Sequence, residues 1–565
     1  MTPRELFVGA DHPAAFRTIG EALAVAADRD EIHVLPGEYR ESLVIDKTVR
    51  IGGDGPRDRV ILRPLINGEP CVSIRGGDPY LHDLTIDGSE FDRVDPDGAD
   101  PVAQLSIAAG SPLIDAIHIY GAGGIWIGGA ATSGQIMRCA IHDSVYGIRV
   151  DSGAAPVIQE NDVWRSASVG IAISGAGTHP QVRANRIHGG GGGSGIRVRD
   201  GASPHIREND VWGNAYAGIA ISGAGTVPLV RANRIHDGGG GGIWIYDGAF
   251  PRIEDNEVWG NVRPGIAISG VGTRPEIVAN RVHDGHGNGI VVVEGATARI
   301  DANDVWGNVL AGIAIIGAET DPLVKANRVH EGRGGGIVID GGARPRIEEN
   351  DVWDNALPGI SIIGDGTDPL IRANRVHDGQ SIGILVDDGA SPRIHDNDLW
   401  ANVQPGIAIM AAGTDPLIRA NRVHDGHDNG ITVDDGAIPR IVDNDIWANV
   451  LSGIAIIGEG TNPHVRANSI HHGRTSGIYV IDGASPRIEH NEVWGNAAEG
   501  IFISGRGTAP VVTGNTVRDG LDDGVYVLDA AVPTIESNTI RDNALLAIRV
   551  DDGAEPFVGP NKIRT

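Results

Sequence analysis

"NDVWGNVLAGIAIIGAETDPLVKANRVHEGRGGGIVID" spans Asn303 to Asp340 and holds two Asn-x-Val-aromatic phrases 24 residues apart, one ending in Trp306 and the other in His330. The Trp version returns as NDVWGN at Asn209, NEVWGN at Asn256, NDVWDN at Asn350, NDIWAN at Asn444 and NEVWGN at Asn491. The His version returns as NRIHDG at Asn233 and NRVHDG at Asn280, Asn374 and Asn421. The phrases alternate, so the full period is 47 residues, a 23-residue unit and a 24-residue unit. Self-similarity at such a period marks an architecture in which each unit buries its apolar face on its neighbours.

Within the unit, Ile313 and Ile315 alternate with Ala314, Val324 and Ala326 alternate with Lys325, and Val329 lies between Arg328 and His330. Each stretch reads as a short strand with an inward and an outward face. Bends are expected at Gly317 to Pro322, at Asn327, and at Glu331 to Gly336. Three strands and three bends per unit define an all-β parallel solenoid. Roughly 20 to 23 coils at about 4.8 Å each imply a length on the order of 100 Å.

Composition agrees. Gly is abundant (83 residues), hydrophobic residues make up 41 %, and Ile, Val and Ala dominate them, which suits short stacked strands and tight bends. The formal charge of -28 argues against nucleic acid and against anionic membranes, since both are bound by basic stripes. The opening "MTPRELFVGADHPAAF" has no basic and apolar leader, and no run reaches transmembrane length, so a cytoplasmic location is expected.

One Asn recurs per coil, from Asn161, Asn185 and Asn209 through Asn303, Asn327 and Asn350 to Asn515, Asn538 and Asn561. Stacked in register, each amide can donate to the oxygen of the next, forming an internal ladder. Toward the N-terminus Cys139, Ile117 and Leu84 take this position. Cys71 falls at a different corner, so no disulfide to Cys139 is expected, and the two buried thiols fit a reducing compartment.

The chain divides into residues 1–31, a cap with an amphipathic helix over about Ala14 to Ala27 followed by strands at Ile32 and Leu43; residues 32–123, irregular first coils; and residues 124–565, the regular coils. The cap text resembles the start of pectin-lyase-like right-handed β-helices, and the repeats from Gly124 to Asn561 resemble the carbohydrate-binding and sugar-hydrolase type of repeat. "NRVHDGHDNGITV" followed by "NDIWANVLSGIAI" is also similar to the β-helix of the F-box ubiquitin-ligase receptors, which recognise proteins. These resemblances imply a single-stranded right-handed parallel β-helix with a short N-terminal capping helix, and recognition of a partner along one face.

Directly after the ladder Asn, charge alternates: Asp210, Arg234, Glu257, Arg281, Asp304, Arg328, Asp351, Arg375, Asp398, Arg422, Asp445. Identical coils would stack like charges about 5 Å apart, whereas alternation sets each carboxylate between guanidinium groups. Two residues on come the aromatics Trp212, His236, Trp259, His283, Trp306, His330, Trp353, His377, Trp400, His424, Trp447, His471 and Trp494, whose parity places them outside. They read either as a self-packed stripe shielding the third strand or as a binding platform, with indole faces about 10 Å apart suited to sugar units or a partner's side chains.

Catalytic phrases are sparse. "GHG" at Gly285 to Gly287 lacks the companion motifs of polygalacturonases, no epimerase "DPH" or pectate-lyase arginine pattern occurs, and Asp388, Asp435, Asp482 and Asp529 read as solvated turn residues. The insertion at 87–104 concentrates acids, and Asp95, Asp97 and Asp100 in "DPDGAD" offer spaced oxygen ligands for Ca2+; no other cofactor is expected. The function read from all this is a non-catalytic intracellular scaffold recognising a protein or glycan, with a polysaccharide lyase, hydrolase or epimerase as the alternative. The last coil, about Ala547 to Thr565, is expected to mediate end-to-end dimerisation or to be covered by a further domain.

Overall fold

The computed structural model describes residues 3–9, 12–13, 15–90, 101–551 and 553–564. The chain forms two compact units, residues 1–285 and 286–565. Each is a stack of parallel coils, about 23 turns in all, whose strands build three sheets; among the described residues the α-helix is confined to one segment near the N-terminus. No described helix is long and apolar enough to cross a membrane.

A coil of the second unit shows how the sequence makes the turn. Ile313–Ile316 lies in the first sheet, Leu323–Lys325 in the second and Arg328–His330 in the third. Ile313, Ile315, Val324 and Val329 are fully buried and meet their equivalents Ile337, Ile339, Ile347 and Val352 in register. Each such side chain contributes about 1.5–3 kcal/mol on burial. The β-branched residues suit the pleat.

The second corner differs from expectation. Ala326 is not inward: it is exposed and takes the left-handed conformation (φ 54°), while the buried Asn327 follows it in an ordinary one. The same holds at Glu349, Ala373, Asp396 and Ala420 (φ 57°, 54°, 59° and 52°), each just before a ladder Asn. The reason is that Asn must aim its amide along the stack into the core, so the bend strain falls on its neighbour.

The ladder itself stands in both units. In the first, Asn161 Nδ2 donates to Asn185 Oδ1 at 2.9 Å and to the Ile136 carbonyl at 2.9 Å, and Cys139 N heads the column by donating to Asn161 Oδ1 at 3.0 Å. In the second it runs to Asn538 and Asn561 (3.0 Å). Cys71 and Cys139 are free and buried, and burial pushes both thiols up to about 12.

Two further polar columns explain why the coils come in two kinds. At the third corner Asn355 Oδ1 accepts from Gly332 N of the preceding coil at 3.0 Å, and its Nδ2 donates to the Val329 carbonyl at 3.1 Å. Gly332 occupies the equivalent place in its own coil because a Cβ there would lie 2.7 Å from Asn355 Oδ1. Between first and second sheets, Thr367 Oγ1 accepts from Gly342 N at 3.0 Å and donates to the Ile363 carbonyl at 2.9 Å, while Ala343 and Ala390 fill that position in the adjacent coils. Asn alternates with Gly, and Thr with Ala, because each polar side chain needs room in the neighbouring coil.

The capping helix is shorter than expected, Ile19–Val25. Thr18 Oγ1 accepts from Glu21 N at 3.1 Å and the Glu21 carboxylate accepts from Thr18 N at 3.3 Å, a capping box that fixes the start. Upstream, Phe16 is bridged to Val8, and downstream Ala26 is extended. Lys47 Nζ donates to the Leu23 and Ala26 carbonyls at 2.9 Å each, closing the helix end. The acidic insertion is described only at its margins, where Arg63 meets Asp87 at 3.0 Å and Glu90 at 2.7 Å. Asp95, Asp97 and Asp100 lie outside the described residues. In the last coil Ile563 keeps its register against Ile540, yet it is exposed, as are Val550 and Val558.

Candidate functional site

The aromatic stripe forms one column on the third sheet of each unit. In the first unit it passes through Trp212, His236, Trp259 and His283, continuing Tyr120, His142, Trp164 and His188; in the second it runs from Trp306 to Trp494. Rings are near-parallel but unevenly spaced: His330 lies 4.1 Å from Trp353, whereas Trp306 and His330 are 5.9 Å apart. Faces therefore meet faces, and ring edges form the outer surface.

The alternation of charge accompanies the uneven spacing, and the ion pairs it makes are one-sided. Asp304 accepts from His330 Nε2 at 3.0 Å and pairs with Arg328 at 3.3 Å, both in the following coil. Asp351 stands in register between Arg328 and Arg375 as expected, but of the two it pairs only with Arg375, because Arg328 is drawn over the Trp353 ring, 5.2 Å from its centre. Trp coils supply an acceptor and a flat ring; His coils supply a donor and a cation.

The first sheet of the first unit is less regular. Its strands Ile125–Gly128, Tyr146–Asp151, Val169–Ser174, Ile196–Arg199, Ile219–Ser222 and Ile243–Tyr246 bury Ile and Val and present two outward columns. One reads Trp126, Arg149, Ala172, Arg197, Ala220, Trp244, Ala267. The other reads Gly128, Asp151, Ser174, Arg199, Ser222, Tyr246.

Here lies a cavity of ≈ 760 Å³ lined by Trp126, Tyr146, Arg149, Asp151, Ser174 and Asp200, with Pro101 to Ala103 on its rim. Gly128 lets the indole lie against the sheet, since a Cβ there would come within 2.2 Å of the ring. The buried Asp151 then locks it: Oδ2 accepts from Trp126 Nε1 at 3.0 Å and Arg149 Nε at 2.9 Å, and Oδ1 accepts from Ser152 Oγ at 2.8 Å. The indole thus lies over Gly128 and forms part of the cavity wall. A second, smaller cavity of ≈ 260 Å³ surrounds Trp244, Tyr216 and Arg263.

Sequence reasoning passed over this groove. The signal was present: of the 10 Trp, only Trp126 and Trp244 fall outside the Asn-x-Val/Leu/Ile-Trp phrase. The acidic turn residues Asp388, Asp435, Asp482 and Asp529 are left-handed bend residues (φ 52° to 55°). A separate cluster pairs His118 Nε2 with His142 Nε2 at 2.7 Å; burial and the neighbouring His142 and Arg57 push His118 down to about 4.

Fold and groove together define a β-helix that presents a polar and aromatic cleft on one sheet. The chain belongs to the right-handed β-helix family, whose model matches residues 106–229, 228–329, 265–422 and 411–517. Solved structures similar to it include DFA-IIIase from Arthrobacter chlorophenolicus A6 in complex with GF2, at 15% identity, 61% of this chain and 94% of that chain, with a TM-score of 0.30. The catalytic domain of a GH87 α-1,3-glucanase in complex with nigerose is 14% identical over 67% of this chain and 66% of that chain, TM-score 0.30. Dettilon tailspike protein is 15% identical over 68% of each chain, TM-score 0.33. No curated protein matches the chain.

Proposed function

We propose that the protein is a carbohydrate-binding β-helix whose glycan lies in the first-sheet groove of residues 1–285, over Trp126. The observation that carries this reading is an indole that lies over Gly128, is locked by Asp151 and forms part of the wall of a cavity edged with Arg, Ser and Asp. The apolar face of a sugar ring stacks on such an indole, and its hydroxyls exchange hydrogen bonds with the polar rim. The stripe on the third sheet offers ring edges, which suit that task less well.

A cleaving activity is the second reading, because Asp151 and Asp200 line the same cavity and glycoside hydrolysis uses two carboxylates. Asp151 is held by Trp126, Arg149 and Ser152 and Asp200 by Arg199 at 3.2 Å, so cleavage would require both carboxylates to exchange these partners for substrate.

The test is calorimetric titration across a panel of oligosaccharides. Trp126→Ala is expected to weaken binding at least about tenfold, a loss of roughly 1.4 kcal/mol, with an unchanged circular-dichroism spectrum because Ile125 and Ile127 keep the strand buried. Parent-like binding by this variant sinks the reading. Turnover abolished by Asp200→Asn would establish cleavage.

A further inference from the structure

We infer that the ligand is a linear, negatively charged glycan running across the coils from Trp126 to Trp244, with an acidic group seated on Arg197. This rests on the groove reading above and adds the charge, direction and length of what binds there.

Charge comes first. Outward arginines of the first unit's third sheet sit beside carboxylates of the neighbouring coil: Arg186 with Asp162 at 3.3 Å, Arg234 with Asp210 at 3.6 Å, Arg281 with Glu257 at 2.8 Å. On the groove floor Arg149 meets Asp151 and Arg199 meets Asp200 at 3.2 Å, but Arg197 has no carboxylate partner among the described residues. Among the described residues Arg197 is thus a cation without a carboxylate partner, in a chain with 46 basic and 74 acidic residues. A guanidinium fork matches the paired oxygens of a carboxylate or a sulfate ester.

Space agrees with charge. Arg197 is half-buried, and its neighbours in register are Ala172 and Ala220, so no bulky side chain covers it from either coil. Arg149 and Arg199, with Tyr146 and Ser174, line a shallow hollow of ≈ 10 Å³ at Arg197, which adjoins the larger cavity through Tyr146, Arg149 and Ser174 and adds donors around the seat.

Direction and length follow from the second indole. Trp244 stands in the same outward column as Trp126, five coils on, about 24 Å away at about 4.8 Å per coil. It stacks on Tyr246 at 4.3 Å, donates to Ser269 Oγ at 3.4 Å, and has Ala220 and Ala267 on either side. The two Trp of the chain that stand outside the stripe are therefore the two ends of one track, with Arg197, which has no carboxylate partner among the described residues, between them.

The experiment titrates the full chain, in chelator so that calcium cannot bridge acids, with a length series of oligouronates, sulfated oligosaccharides of matching length, neutral oligoglucans and a single-stranded oligonucleotide. Charged glycans are expected to bind, more tightly with length until both indoles are spanned, and more weakly as salt rises. Arg197→Gln should cost about tenfold or more for charged ligands, flatten their salt dependence and leave neutral ones unchanged, while Arg197→Lys restores part of the salt dependence. Trp244→Ala should weaken only the longer ligands. Preference for uronates or for sulfates supports the inference either way and names the acidic group. Equal binding of neutral glucans, an Arg197→Gln variant that binds charged glycans like the parent, length-independent affinity, or preference for the oligonucleotide overturns it. In the first three cases Trp126-dependent glycan binding would leave the groove reading standing; loss of that dependence removes both.

Discussion

Asn374 shows what one residue holds. Its Nδ2 donates to the Ile347 carbonyl at 2.8 Å and to Asn397 Oδ1 at 3.0 Å, while its Oδ1 accepts from Asn350 N and Nδ2, both at 2.9 Å. Asn374→Ala strands two buried donors and a carbonyl, at about 1–3 kcal/mol each, so a loss of about 3 kcal/mol or more is expected in urea unfolding. A loss below about 1 kcal/mol would mean that water replaces the amide. His118 gives a pH dependence. Its folded value, about 4, is below the ordinary 6.5, so between these the unfolded chain binds the extra proton. This contribution to stability is complete above about 6.5 and is lost as pH falls toward 4, and His118→Gln is expected to flatten the thermal-midpoint profile across that window. An unchanged profile would locate the acid sensitivity elsewhere.

Among the elements, the third-sheet column is a stack whose members stabilise one another without filling the core. Behind Trp353 and Trp400 the residues that face inward are Val352 and Leu399, both fully buried. Replacing both Trp by Ser should leave the circular-dichroism spectrum intact while removing about 0.5–1.5 kcal/mol of ring stacking per Trp, plus the lost area; a molten variant would make the column part of the core. The column was legible in the sequence because strand parity fixes which side chains point out. The left-handed corner was misread at Asn327 because Asn is a common turn residue, whereas its amide is committed to the ladder and Ala326 takes the bend. The Asn355 and Thr367 columns recur only every second coil, so a reading of single coils passes over them. The groove was hidden for the opposite reason: Gly128, Arg149, Asp151 and Arg197 are departures from the repeat, and a search for regularity discards them. Asp95, Asp97 and Asp100 are in a segment for which pattern gives no geometry.

At the scale of the whole molecule, stability is a sum over coils and their interfaces, so the unit that can be removed is set by the chemistry between coils. Deleting Asn350 to Asp396, one full 47-residue period, joins a His coil to the Trp coil of Trp400 and re-forms every column. Deleting only Asn350 to Ala373 sets two His coils together, brings Arg328 to Arg375, and takes Asn355 from Gly332 N and Thr367 from Gly342 N. Two buried donors without acceptors cost about 2–6 kcal/mol together. The long deletion should therefore melt near the parent and the short one well below it; equal midpoints would show that alternation does not set the register. The ladder also has a sense. At Asn350 and Asn374 the backbone N–H and one Nδ2 hydrogen point to the Asn oxygen one coil further toward the C-terminus, so the Asn-to-Asn bonds run in one direction. A ribosome makes the chain in that same order, so each coil leaves the exit tunnel carrying the acceptor that its predecessor lacks. At about 10 residues per second, a new rung arrives roughly every two seconds, and the growing chain has a single unfinished rung at its tip however much of it has been made.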